Sequence, residues 1–112
     1  MSKKVIILGS SGYLGENIAR FLKQNNFKVI GVSRKKSSFT TLQIFDYFSD
    51  YNEIIKQISK NDILINCIND KKCEKNKVSF INFFLEKINF SIKILQISSL
   101  SVYNEINNEY LK

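Results

Sequence analysis

The chain has 112 residues, of which 44% are hydrophobic and 24% are charged, and these proportions are typical of one folded, soluble domain. Its formal charge of +7 would suit nucleic acid, an anionic membrane surface or a phosphorylated ligand. The basic residues form no stripe with interleaved aromatic residues, however, and no helix-turn-helix or zinc-finger spacing occurs. No apolar stretch approaches the roughly 20 residues of a membrane span. We therefore expect neither nucleic acid nor a membrane as a partner.

Apolar runs of strand length alternate with helical patterns along the chain. The predicted strands cover residues 5–8, 27–32, 41–45, 63–68 and 92–98. Helical stripes of apolar residues lie at Leu14, Ile18, Phe21 and Leu22, at Tyr51, Ile54, Ile55 and Ile58, and at Val78, Ile81, Phe84, Leu85 and Ile88. Because the strands are too apolar for a sheet with one solvated face, we predict an α/β, Rossmann-like fold with a doubly wound parallel sheet. Such a domain usually has about six strands, so with five visible we expect a truncated one.

The segment Gly-Ser-Ser-Gly-Tyr-Leu-Gly occupies residues 9–15, between the first strand and the first helix. We expect Gly9 to permit a tight turn and Gly12 to let a phosphate approach the helix N-terminus, while Gly15 lets the helix pack close to the sheet. Free amides and the helix dipole there favour an anionic pyrophosphate. Glycines that serve only a turn and helix packing are the alternative. The predicted cofactor contacts are Gly9, Ser11, Gly12, Tyr13, Leu14 and Gly15.

The residues after the second strand bear on the choice between NAD and NADP. An acidic residue there would hold the ribose 2′-hydroxyl and repel a 2′-phosphate. This chain instead has Ser33 and Arg34, followed by two lysines. A guanidinium can bind a phosphate through two hydrogen bonds, and a serine can donate another. We therefore predict NADP in preference to NAD, with Arg34 as the main contact; a solvated basic loop is the alternative.

The two cysteines and the absence of histidine bear on metals and on the cellular compartment. Cys67 and Cys73 are not spaced as C-x-x-C, and a zinc site needs histidine or more cysteines. Unpaired thiols suggest a reducing compartment. We therefore expect no metal site and a cytoplasmic location.

Residues 5–15 resemble the start of the extended short-chain dehydrogenase/reductases, in the NAD-dependent epimerase/dehydratase family that acts mainly on nucleotide sugars. Later segments resemble the same family in the same order. Asp46 resembles its acidic residue near the adenine, and Asn76 and Asn82 resemble its paired asparagines before the fifth strand. Residues 98–103 (Ser-Ser-Leu-Ser-Val-Tyr) resemble its S-S-x-x-V-Y segment. The resemblance thus covers essentially the whole chain.

The resemblance implies further site residues. Asp46 and Asn76 would contact the cofactor, as would the backbone near Ile68 at the end of the fourth strand. Ser99 would be a catalytic residue that hydrogen-bonds the carbonyl or hydroxyl of the substrate during hydride transfer, and a turn serine is the alternative. The family also uses a tyrosine with a lysine four residues later, a spacing that places both on one helix face. No tyrosine in the 112 residues has a lysine at that spacing.

Two hypotheses about function follow. In the first, residues 1–112 are the NAD(P)-binding domain of a nucleotide-sugar epimerase, dehydratase or reductase, without the substrate domain and without turnover by themselves. Its partners would be the dinucleotide, a nucleotide sugar in the full-length protein and a second copy in a homodimer. In the second, the chain is an NADP-binding sensor or scaffold domain without catalysis. A Tyr-x-x-x-Lys shortly after Lys112 would favour the enzyme.

Overall fold

Strands and helices follow one another in the predicted order in a computed structural model, which describes residues 4–68 and 79–97. In chain order they are β1 (Lys4–Leu8), α1 (Tyr13–Gln24), β2 (Lys28–Ser33), β3 (Leu42–Gln43), α2 (Tyr51–Ile55), β4 (Ile63–Asn66), α3 (Phe80–Lys87) and β5 (Lys93–Gln96). Within these described residues, no helix is long and apolar enough to cross a membrane.

The five strands form one parallel sheet in the order β3-β2-β1-β4-β5. Val5 of β1 lies level with Val29 of β2 on one side and with Ile63 of β4 on the other. The chain therefore adds β2 and then β3 on one side of β1, and after a crossover it adds β4 and then β5 on the other side. The carboxyl ends of β1 and β4 flank the point where the strand order reverses, which is where open α/β sheets bind ligands. The predicted α/β, Rossmann-like fold is confirmed.

Side chains of the central strand alternate between two hydrophobic clusters, one on each face of the sheet. Val5 and Ile7 pack with Ala19 of α1, whereas Ile6 and Leu8 belong to the opposite cluster, which includes residues of α2 and α3. Successive side chains of a strand point to opposite faces. Both faces are apolar because helices cover both.

Aromatic side chains hold α3 against α2 and against the segment that follows β3. Phe80 is fully buried, and its ring centroid lies 5.2 Å from those of Tyr47 and Phe84. Phe83 lies edge-on to Tyr51 of α2, with the two ring centroids 5.2 Å apart. At these separations aromatic pairs attract each other beyond the effect of their burial.

α1 packs on the sheet through small residues, with its larger apolar side chains at the edge of the contact. Its buried residues are Gly15 and Ala19. The predicted stripe does lie on one face, but Phe21 is 63% exposed there. The stripe forms one wall of a shallow apolar groove, which is lined by Leu14, Asn17, Ile18, Phe21, Leu22, Ile65, Leu95 and Ile97. Small residues at the point of contact let the helix approach the strands closely.

Two strands end earlier than their apolar patterns predict. β3 has only two residues, because the amides of Phe45 and Asp46 donate to the carboxylate of Asp50, at 2.8 and 3.0 Å, instead of to a strand. β4 ends at Asn66, whose Oδ1 accepts a hydrogen bond from the amide of Ile68 at 3.3 Å. In both places a polar side chain competes with the sheet for the backbone amides.

Candidate dinucleotide-binding site

The turn that follows β1 requires glycine at its first position. Gly9 has a φ of +85°, a conformation that strains other residues. A Cβ there would also lie 3.1 Å from the backbone of Cys67 and from two atoms of Ile68. The Gly9 amide donates to the carbonyl of Val32 at 2.8 Å. Gly9 thus brings the ends of β1, β2 and β4 together.

Gly15, in the first turn of α1, rests directly against this turn. A Cβ on Gly15 would lie 2.1 Å from the carbonyl oxygen of Gly9 and 2.9 Å from its carbonyl carbon. Only a residue without a side chain allows α1 to approach so closely. This contact is the close packing predicted for Gly15.

Gly12 is the N-cap of α1 and leaves the N-terminus of the helix open. Its φ is −77°, and a Cβ there would have only the Gly9 carbonyl oxygen nearby, at 3.6 Å. The first amides of any helix lack intrahelical acceptors, and no side chain among the described residues caps α1. These amides and the helix dipole provide hydrogen-bond donors and partial positive charge. An anionic pyrophosphate fits this terminus because Gly12 has no side chain to obstruct it.

The other residues of the glycine segment differ in exposure. Tyr13 is 82% exposed at the start of α1, whereas Ser11 and Leu14 are half-buried. Ser10, for which no role was predicted, is fully buried, and its hydroxyl has no hydrogen-bond partner among the described residues. A Cβ on Gly31 of β2 would lie 2.8 Å from that hydroxyl. Ser10 therefore packs the turn against β2.

The loop after β2 exposes three cationic side chains, those of Arg34, Lys35 and Lys36. Ser33 is buried, and its hydroxyl donates to the carbonyl of Lys35 and lies 2.9 Å from Thr40 Oγ1. The Ser33 hydroxyl is therefore engaged within the loop. Of the two residues predicted to bind a 2′-phosphate, only Arg34 presents its side chain to solvent.

Asp46 lies just after β3, at the same edge of the sheet. Its Oδ2 accepts a hydrogen bond from the amide of Ser49 at 2.8 Å, and its own amide donates to Asp50 at 3.0 Å. These bonds fix the turn after β3, which pairs with β2. The half-buried carboxylate of Asp46 thus lies on the same side of β1 as the Arg34 loop.

Asn66 and Gln96 form a polar pair at the carboxyl ends of β4 and β5 that was not predicted from the sequence. Asn66 is fully buried, and its Nδ2 donates to Oε1 of Gln96 at 3.0 Å. Its Oδ1 accepts from the amide of Ile68, a buried residue that lies against Gly9. Buried amides must be hydrogen-bonded, so an asparagine within an apolar strand was the available signal.

The structure therefore assembles part of the predicted site. The predicted residues at the carboxyl edge of the sheet are Gly9, Ser11, Gly12, Tyr13, Leu14, Gly15, Ser33, Arg34, Asp46 and Ile68. Ser99 and Asn76 lie outside the described residues. Asn82 is exposed in the first turn of α3, where its backbone amide donates to Ser79 Oγ at 3.4 Å. Residues 4–68 and 79–97 contain no cluster of three or more potential metal ligands.

A parallel sheet of this order, with an open glycine N-cap at its switch point, defines a Rossmann-type nucleotide-binding domain. Residues 5–106 match the model of the NAD dependent epimerase/dehydratase family. The chain belongs to this family, which confirms the resemblance seen in the sequence. Membership supports a nicotinamide dinucleotide as the cofactor.

This chain matches parts of two curated relatives. GDP-mannose 4,6-dehydratase of Yersinia enterocolitica is 36% identical over 52 residues, which are 46% of this chain and 14% of the relative. Sterol-4-alpha-carboxylate 3-dehydrogenase, decarboxylating, of Dictyostelium discoideum is 29% identical over 119 aligned positions, covering 96% of this chain and 36% of the relative. The chain thus spans well under half the length of either relative. No solved structure gives a significant match.

Proposed function

We propose that this chain is the NADP-binding part of a nucleotide-sugar epimerase, dehydratase or reductase, in which a hydride moves between the nicotinamide and a sugar carbon. The observation that carries the proposal is the uncapped N-terminus of α1 at Gly12, placed at the switch point of the sheet. Family membership supports the dinucleotide. The name of the Yersinia relative supports a nucleotide sugar as the substrate.

Each part of the site has a proposed role. The first amides of α1 hold the pyrophosphate, and Gly9 and Gly15 hold that terminus against the sheet. Arg34 holds the 2′-phosphate, while the buried Ser33 shapes the loop that presents it. Asp46 lies near the adenine, a role proposed from the resemblance.

Further roles remain proposals on the resemblance. They are cofactor contact for Asn76 and the backbone at Ile68, and hydrogen bonding to the substrate for Ser99. A reducing, cytoplasmic location is proposed from the sequence, whose two cysteines show no disulfide or metal-binding spacing.

A second candidate function is an NADP-binding sensor or scaffold domain. It fits the exposed basic loop after β2, which offers positive charge to a 2′-phosphate whether or not the protein is an enzyme. Without a positioned acid/base, a bound sugar would not exchange its proton during hydride transfer. Reading the coding sequence beyond Lys112 separates the two candidates: a Tyr-x-x-x-Lys supports the enzyme, and its absence supports the sensor.

Calorimetric titration with NADP and NAD tests the proposal. NADP should bind more tightly, and Arg34→Ala should weaken NADP binding about 10- to 100-fold, since a hydrogen bond to a charged group contributes about 1.5–3 kcal/mol. The same variant should leave NAD binding unchanged, and Lys36→Ala serves as a matched loss of one exposed charge. Equal affinities in the parent, or tighter NAD binding, would refute the 2′-phosphate assignment. Absence of binding to either dinucleotide would refute the whole proposal.

A further inference from the structure

Phe45 is an aromatic side chain that the fold leaves in solvent. It is 91% exposed, the largest value among the exposed large apolar residues of the described chain, while its neighbour Ile44 and the nearby Tyr47 are buried. Single exposed apolar residues are common on protein surfaces. Phe45 differs from an ordinary exposed residue in its position and in how firmly its backbone is held.

The backbone at Phe45 is firmly held. Its amide donates to Asp50 Oδ2 at 2.8 Å, and the amide of Asp46 donates to the same oxygen at 3.0 Å. On the far side of this turn, the Tyr47 hydroxyl donates to the carbonyl of Val32 at 3.3 Å. The exposed ring thus projects from a fixed point on the surface.

That fixed point lies beside the Arg34 loop. The amide of Ile44 donates to the carbonyl of Ser33 at 2.9 Å, and Gln43 Nε2 donates to the carbonyl of Arg34 at 3.3 Å. Gln43 and Phe45 are both exposed whereas Ile44 between them is buried, so both side chains leave this segment on its solvent side. The alternating burial of residues 42–45 agrees with this direction. The Phe45 ring and the Arg34 side chain therefore share one edge of the sheet.

The strand order determines which part of a dinucleotide reaches this edge. The pyrophosphate site at Gly12 follows β1, and the ribose site of such a domain is at the end of β2. β3 is the next strand outward, at about 4.8 Å per strand. A ligand that runs from Gly12 past Arg34 therefore brings its base to the residues that follow β3.

We infer that Phe45 is the residue on which the adenine ring stacks. The inference rests on the proposed function and adds a residue that sets affinity for the adenine half. Bases stack on aromatic side chains through their π faces. Because adenine is common to NAD and NADP, Phe45 contributes equally to both ligands, whereas Arg34 contributes to NADP alone.

The chain contains no tryptophan, so a single substitution introduces a specific fluorophore. Phe45→Trp should lose tryptophan emission on addition of NADP, NAD or ADP, since all three carry adenine. Phe21→Trp is the matched control: Phe21 is also exposed, but it lies nine residues beyond Gly12, about 13 Å along the helix. Its emission should not change. Loss of emission with NADP but not with ADP would place the other half of the ligand at Phe45 and overturn the inference.

Affinity measurements provide the second readout. Phe45→Ala should weaken NAD and NADP by the same factor, about 5- to 100-fold, and Phe45→Leu should recover little of that loss. Circular dichroism should show an unchanged fold, because the ring contacts solvent. If the parent binds dinucleotide and Phe45→Ala binds equally well, the inference is wrong and the proposed function stands. If the parent binds neither ligand, the proposed function is what fails.

Discussion

Replacing Gly12 by valine should remove dinucleotide binding while leaving the fold in place. The backbone there has a φ of −77°, which any residue adopts, and a Cβ would lie 3.6 Å from its nearest neighbour, the carbonyl oxygen of Gly9. A Cβ at this position therefore meets no close contact among the described residues. It would project at the open N-terminus of α1, where the pyrophosphate has to approach the amides.

The expected magnitudes differ for binding and for stability. Loss of two hydrogen bonds to a charged group, at about 1.5–3 kcal/mol each, corresponds to roughly a hundred- to ten-thousandfold weaker binding. A glycine N-cap is better than an apolar one by about 1 kcal/mol, so the Tm of Gly12→Val should fall by about 4–8 °C.

Gly15→Ala should behave differently, because its Cβ would lie 2.1 Å from the Gly9 carbonyl oxygen. We expect it to lower Tm far more than Gly12→Val does.

Calorimetry with NADP and thermal melting by circular dichroism measure both effects on the same samples. Parent-like affinity in Gly12→Val would refute the pyrophosphate assignment. A melting temperature for Gly15→Ala equal to that of the parent would show that the close contact between α1 and the turn is not needed for the fold.

Two further predictions concern the core and Cys67. Phe80→Ala should reduce the free energy of unfolding by about 3–5 kcal/mol in urea denaturation, because Phe80 is fully buried among aromatic rings; a loss under 1 kcal/mol would contradict this packing. Burial raises the pKa of the Cys67 thiol from 9.0 to about 11, so in a Cys73→Ser variant alkylation should stay slow at pH 8 and accelerate towards pH 11. Because the folded state holds this proton more tightly than the unfolded state, stability should fall as the pH rises from about 9 to 11. Rapid alkylation at pH 8 would show that Cys67 is accessible as a thiolate.

The sequence by itself determined the features that depend on local geometry. Gly9 was expected at a turn and has a positive φ, and Gly15 was expected at a close contact and has no room for a Cβ. The apolar strands predicted a sheet covered on both faces, and the two clusters on β1 show that covering. These features follow from a residue's own backbone and side chain, so spacing and residue type predict them.

Only the tertiary structure decided which groups meet one another. Ser33 has the residue type for a phosphate contact, but the loop that returns to β3 engages its hydroxyl. Phe45 was predicted to lie in the third strand, but its amide donates to Asp50 instead of to the sheet, and its ring is exposed. Asn66 finds Gln96 thirty residues away. A periodic pattern shows which face of an element is apolar. The way the chain folds back on itself determines which distant side chains compete for the amides of that element or cover its surface.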